Sequence, residues 1–145
     1  MIRPMRAADL DAVAELWLDT NLQAHAFIDP QYWRDHFEEV KTLLSQAELY
    51  VWEDRGALRG FIGLEGSYVA GLFVRRDCQS QGIGRALLDF AKDLRPRLEL
   101  KVYRNNPRAA AFYRREGFLP AGESLDHETG QMEIRMVWAP GERRG

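Results

Sequence analysis

The chain has 145 residues, 46% of them hydrophobic and 29% charged, which predicts one soluble globular domain spanning residues 1–145. Its formal net charge of −2 leaves no electrostatic case for a nucleic acid or an anionic membrane as partner. A single cysteine, Cys78, excludes an internal disulfide framework, and no long apolar stretch opens the chain; with neither a signal peptide nor a membrane span expected, the cytoplasm is the default location.

In chain order, Met1 to Met5 reads as a short edge strand that Pro4 helps to end. Leu10, Val13, Ala14, Trp17 and Leu18 fall at helical spacing and predict a first helix from about Ala7 to Leu22, with Asp9 and Asp11 at the positive end of its dipole. Gln23 to Ile28 is a connector. Asp29-Pro30 then restarts the chain, a capping carboxylate followed by proline at the first helical position. Trp33, Phe37, Val40 and Leu44 continue the helical period, so one helix is predicted from Pro30 to about Ser45.

Leu49 to Trp52 has strand composition, Asp54-Arg55-Gly56 is a turn, and Leu58 to Leu64 is the returning strand of a hairpin. After a second turn, Val69 to Val74 is apolar and short enough for a buried strand. The polar loop Gln79-Ser80-Gln81-Gly82-Ile83-Gly84-Arg85 follows, and then Ile83, Leu87, Phe90, Ala91 and Leu94 at helical spacing. Pro96 ends that helix. Leu98 to Tyr103 alternates apolar and polar; Asn106-Pro107 opens a short helix to Glu116, and Gly117 closes it. Strands Phe118 to Leu125 and Met132 to Trp138 flank a loop, and a polar tail from Ala139 to Gly145 is expected to fray. Antiparallel strands first and helical crossovers in the middle predict an α/β (α+β) fold with a mixed, mainly antiparallel sheet and helices on both faces.

Chemistry concentrates at the glycine loop. The first N–H groups of a helix have no partner inside it and lie at the positive end of its dipole. Glycines there let an anion approach the backbone because no Cβ intervenes. The dinucleotide fingerprint needs glycine where Leu87 stands, and a P-loop needs Lys-Ser/Thr where Arg85-Ala86 stand, so neither fits. Gln79-x-x-Gly82-x-Gly84 instead resembles the pyrophosphate loop of the GCN5-related N-acetyltransferases (GNAT), Gln/Arg-x-x-Gly-x-Gly/Ala. Asn106-Pro107-Arg108-Ala109 to Phe112-Tyr113-Arg114-Arg115-Glu116-Gly117-Phe118 resembles that family's Asn-x-x-Ala-x-x-Phe-Tyr-x-x-x-Gly-Phe segment at every fixed position. Ile2-Arg3-Pro4 with Asp9-Leu10 is similar to the family's opening, and His25 with Phe27-Ile28 to a subgroup of small single-domain bacterial members.

The resemblance implies acetyl-CoA as co-substrate, laid in a gap between the strands ending at Val74 and near Tyr103. Backbone groups of Leu72, Phe73 and Val74 would hold its pantetheine arm and acetyl carbonyl, and those of Gln79, Ser80, Gln81, Gly82, Ile83, Gly84 and Arg85 its pyrophosphate. Asn106 would lie near the thiol end and Tyr113 would be the general acid for the departing thiolate, a task that suits a weakly acidic hydroxyl. The acceptor is expected to be a primary amine: a protein lysine, an N-terminal amine or a small molecule. His25 and Phe27 are candidate residues of the acceptor site, and His25 is a candidate base. Glu65 is a second candidate base acting through water, against its plainer reading as a solvated hairpin residue. His36 and His127 read as exposed, Cys78 has no histidine to activate it, and no ligand spacing implies a metal. The alternatives are a silent CoA-binding sensor and a mononucleotide-binding protein of another family. A monomer or a homodimer is expected, the last strand being free to pair across a dimer.

Overall fold

The computed structural model describes residues 1–140. The last five positions of the expected frayed tail lie outside the described residues. Seven strands among these residues form one sheet in the order β1-β2-β3-β4-β5-β7-β6. They are β1 (Ile2–Pro4), β2 (Glu48–Asp54), β3 (Ala57–Glu65), β4 (Tyr68–Val74), β5 (Leu98–Tyr103), β6 (Leu119–Asp126) and β7 (Gln131–Trp138). Neighbours run antiparallel except β4 and β5. The mixed sheet expected from the element order is the one found.

Helices cover both faces. On one lie α1 (Leu10–Ala24), α2 (Pro30–Asp35) and α3 (Phe37–Leu44); on the other lie α4 (Ile83–Leu94) and α5 (Pro107–Arg115). The alternation of β5 explains why both faces need a cover. Leu98, Leu100 and Val102 enter a core with Leu87, Leu88 and Ala91 of α4 and with Phe118, while Glu99, Lys101 and Tyr103 turn to the α1 face. A smaller core on the α1 face joins Val13 and Leu16 to Leu49, Val51 and Phe61. Leu87 and Leu88 are fully buried, each removing from water apolar surface worth about 2 kcal/mol.

Three expectations change. The helix predicted from Pro30 to Ser45 divides at His36, whose φ of −93° and ψ of −2° cap one helix and start the next. Its imidazole turns back on Tyr32, with Nδ1 2.7 Å from the Tyr32 carbonyl oxygen, and the ring stacks on Tyr32 at 4.3 Å. The period of Trp33, Phe37, Val40 and Leu44 survives the break because both pieces keep a helical twist. Second, the predicted start of the first helix is a separate 3-10 turn, Ala7–Asp9, closed by Asp9. Its carboxylate accepts from the Arg6 N–H at 2.7 Å and pairs with Arg3 at 2.7 Å, and that guanidinium holds Asp9 below the usual carboxylate range.

Third, β7 is interior. It pairs with β5 along one edge and β6 along the other, so it has no edge to offer a dimer. The edge strand at this end of the sheet is β6, which carries Pro120 and Gly122 and is exposed along nearly its whole length.

The separation of β4 from β5 is what positions the site. A single residue pair, Tyr68 with Glu99, is in register between them, together with the Glu99 N–H to Ser67 carbonyl bond at 2.9 Å. Beyond it the two parallel strands diverge. The pairing of β4 with β3 shifts register between Gly63 and Leu64, which puts a bulge at Ala70. From there to Val74 the β5-facing edge of β4 has no strand beside it.

Candidate active site

The divergence opens a cleft of about 870 Å3, within the range of small-molecule sites. It passes through the sheet. On the α4 side its walls are the glycine loop, Phe112, Tyr113 and the guanidinium-bearing Arg85, Arg108 and Arg115. On the α1 side they are Trp17, Asn21, His25, Trp33, Tyr68, Tyr103 and Glu133. Leu72, Phe73 and Val74 line the passage between.

The loop takes its shape from two left-handed residues, Ser80 with φ 67° and Gly82 with φ 83°. Gln79 fastens it to the end of β4 by donating from Nε2 to the Val74 carbonyl at 3.2 Å. The Ala86 N–H donates to the Gly82 carbonyl at 3.0 Å and begins the α4 ladder. The N–H groups of Ile83, Gly84 and Arg85 therefore stand ahead of that ladder, at the positive end of a twelve-residue helix. A Cβ on Gly82 would meet no described atom within 4 Å, and Gly82 borders the cleft. Gln79, Ser80, Gly82, Gly84 and Arg85 line the cleft, but the side chains of Gln81 and Ile83 do not. Those two border a separate depression beside Arg55 and Arg59, and Ile83 is core.

Tyr113 is buried to 8% exposure. Its ring packs edge-on against Phe112 and Phe118, at 5.1 and 5.6 Å. Its hydroxyl has no hydrogen-bond partner among the described residues. Burial, with Tyr68 across the gap, pushes the phenol above the usual tyrosine range, so it is a protonated donor throughout the neutral range.

Asn106 and His25 meet although they belong to opposite sides of the sheet. Asn106 Oδ1 accepts from the Ala109 N–H at 3.2 Å and caps α5. That orients Nδ2 toward His25 Nε2, 3.1 Å away. On the other side of the imidazole, Asn21 donates from Nδ2 to the Trp17 carbonyl at 2.9 Å and turns Oδ1 to His25 Nδ1, also at 2.9 Å. The proton of His25 therefore sits on Nδ1, and its one free lone pair is used by Asn106. Burial pulls the imidazole down to about 4, so it is neutral at pH 7. Such a histidine fixes the end of α1 against α5; it has no lone pair left to act as a base. Phe27 does not line the cleft but packs against His25 and Tyr103 at 5.6 and 5.7 Å.

Glu65 is exposed on its turn and away from the cleft walls. Cys78 is buried with Arg59 Nη1 at 3.3 Å and no histidine beside it. Sequence reasoning missed Tyr68, Trp33 and Glu133 on the α1 side of the cleft and Arg108 and Arg115 on the α4 side. The alternation of β7 contained the signal for Glu133, but it is readable only once β7 is known to adjoin β5. Among the described residues, no group of His, Cys, Asp and Glu is arranged to hold a metal, and no helix is long and apolar enough to cross a membrane.

Comparison with known proteins agrees with this geometry. Residues 45–120 match the family model described as an acetyltransferase (GNAT) domain. The chain is 39% identical over 140 residues to the peptidyl-lysine N-acetyltransferase YiaC of Escherichia coli strain K12, covering 95% of this chain and 96% of that one. It is 30% identical to the peptidyl-lysine N-acetyltransferase YjaB of Salmonella typhimurium, over 90% of each. The solution structure of apo YjaB from Escherichia coli superposes with a TM-score of 0.86 at 26% identity, over 95% of this chain and 96% of that one. Neither a silent sensor nor a nucleotide-binding protein of another family is favoured by such relatives. The chain belongs to the GNAT family, and its reaction is transfer of an acetyl group from acetyl-CoA to an amine.

Proposed function

We propose that the acceptor is the side-chain amine of a lysine in a protein or peptide. The observation that carries this reading is the α1 side of the cleft. There Trp17, Trp33, His25 and Tyr103 wall a passage that also holds Glu133. An alkyl stem gains from aromatic walls, and its terminal ammonium gains from a carboxylate. The end-to-end likeness to a relative named for peptidyl-lysine acetylation supports the same reading.

In this proposal the N–H groups of Ile83, Gly84 and Arg85 hold the pyrophosphate, with Arg85, Arg108 and Arg115 supplying positive charge. The unpaired edge of β4 at Leu72, Phe73 and Val74 receives the pantetheine amides. The open space at Gly82 and the Tyr113 hydroxyl, which has no partner among the described residues and borders the cleft, fit such a ligand. Bound acetyl-CoA supplies an activated acyl carbon. Tyr113 gives its proton toward the departing sulfur, and Asn106 with His25 holds the mouth in shape. The buried, unbridged Cys78 suits the reducing cytoplasm, where we place the protein.

Mass spectrometry tests the reading. The protein and acetyl-CoA are incubated with a peptide containing one lysine, a peptide whose only amine is its N-terminus, and a polyamine. Acetylation of the lysine side chain in preference to the other two is expected. Turnover of only the α-amine or only the polyamine would overturn the assignment.

A further inference from the structure

Glu133 lies on β7 directly across from Tyr103 of β5, on the α1 face, and borders the cleft. The other carboxylate bordering it, Glu116, has Arg85 at 3.7 Å. Among the described residues no ion pair or hydrogen bond reaches the Glu133 carboxylate. Burial and the nearby Asp126 raise its proton affinity above the usual glutamate range, against the opposing effect of Lys101. The titratable groups around it are Tyr68 of β4, Lys101 and Tyr103 of β5, Asp126 of β6 and Tyr32 of α2, with Arg135 two residues along its own strand. A half-buried carboxylate without a partner costs stability that an arriving cation would recover.

The other groups on this side are committed. His25 spends its lone pair on Asn106. Asp126 accepts from the Tyr103 and Thr129 hydroxyls at 3.1 and 2.9 Å and from the Glu128 N–H at 3.1 Å. Tyr68 and Tyr103 are pushed above the usual tyrosine range by burial and stay neutral. Lys101 is itself a cation, and its charge favours loss of a proton from any ammonium brought beside it.

We propose that Glu133 receives the ammonium group of the acceptor and takes the proton that must leave before nitrogen attacks. The inference rests on the amine-acetylating function above. Two protons leave the nitrogen in all. Glu133 takes the first and passes it to solvent, which frees the lone pair to bond to the acetyl carbon. The carbon–sulfur bond breaks, Tyr113 protonates the sulfur, and the second proton from nitrogen restores Tyr113.

Glu133→Gln keeps the shape and removes the charge. Calorimetry on the protein loaded with CoA should show an alkylammonium acceptor binding about tenfold more weakly to this variant. Acetyl-CoA affinity should stay within about twofold, which establishes that the variant is folded. Turnover of an alkyl amine should fall about a hundredfold at pH 7. An alkoxyamine, already neutral at that pH, should lose far less. Glu133→Asp should recover part of the alkyl amine activity.

Equal turnover of the alkyl amine by Glu133→Gln and the wild type would overturn the proposal, and so would an equal loss with both amines. The panel includes small alkyl amines beside lysine peptides. If the wild type ignores the peptides but acetylates the small amines, the lysine reading fails while the comparison of amine classes still decides the role of Glu133.

Discussion

The Nε2 atom of His25 accepts from Asn106 Nδ2 at 3.1 Å, joining residues 81 positions apart in the chain. One hydrogen bond thus ties the end of α1 to the start of α5 across the mouth of the cleft. Asn106→Asp keeps an oxygen for the α5 cap but replaces the donor facing Nε2 with a negative acceptor. A neutral imidazole with its proton on Nδ1 would then point a lone pair at a carboxylate, and protonation relieves the clash. The His25 pKa should rise from about 4 by about two units or more. NMR titration of the His25 ring measures it. A value still near 4 would mean that Asn106 does not bond to His25 in solution.

The depressed His25 also makes stability depend on pH in a defined window. Its ordinary value is 6.5 and its folded value about 4, so between them the unfolded chain binds the extra proton. Stability is therefore full above 6.5, falls as the pH drops, and stops falling from this cause below about 4. The slope is at most about 1 kcal/mol per pH unit once partial solvent access is discounted. Urea unfolding of wild type and His25→Phe at pH 7.5 and 5 should show a smaller loss in the variant. Equal losses in both would remove His25 as the source.

Tyr113→Phe separates chemistry from packing. Among the described residues the hydroxyl has no partner, so its removal breaks no hydrogen bond there and should shift stability by about 0.5 kcal/mol or less. The ring contacts with Phe112 and Phe118 remain. Acetyl-CoA affinity should hardly change while kcat falls about tenfold or more. Full turnover in this variant would take Tyr113 out of the proton path.

The glycine loop that lines one end of the cleft was legible in the sequence, as was His25, but most of the α1-side wall was not, for a physical reason. That loop is local: Gln79, Gly82 and Gly84 lie within one short stretch, and the helical period after Ile83 says where the free N–H groups fall. The α1-side wall brings together Tyr68, Tyr103 and Glu133, which lie far apart in sequence and converge only through the order of strands. That order places β7 between β5 and β6, against the sequential arrangement. Pro120 and Gly122 mark β6 as an edge, and this was the available sign. The break at His36 hid for the opposite reason: a side chain bonding back on Tyr32 interrupts a helix without disturbing its apolar period.

Gly82 carries two separable demands, and a control distinguishes them. Its φ of 83° is unfavourable for any residue with a Cβ, and Gly56 in the β2–β3 turn has a nearly equal φ of 77°. Neither glycine has an atom within 4 Å of where a Cβ would stand. Gly82→Val and Gly56→Val should therefore lose similar stability, about 1–2 kcal/mol each. They should differ in ligand binding, because Gly82 lines the cleft proposed to hold the pyrophosphate and Gly56 does not. Calorimetric titration with acetyl-CoA should show affinity near the wild-type value for Gly56→Val and about a hundredfold weaker for Gly82→Val. Equal affinity in the two variants would place the pyrophosphate elsewhere, since a branched side chain and a phosphate cannot share that space.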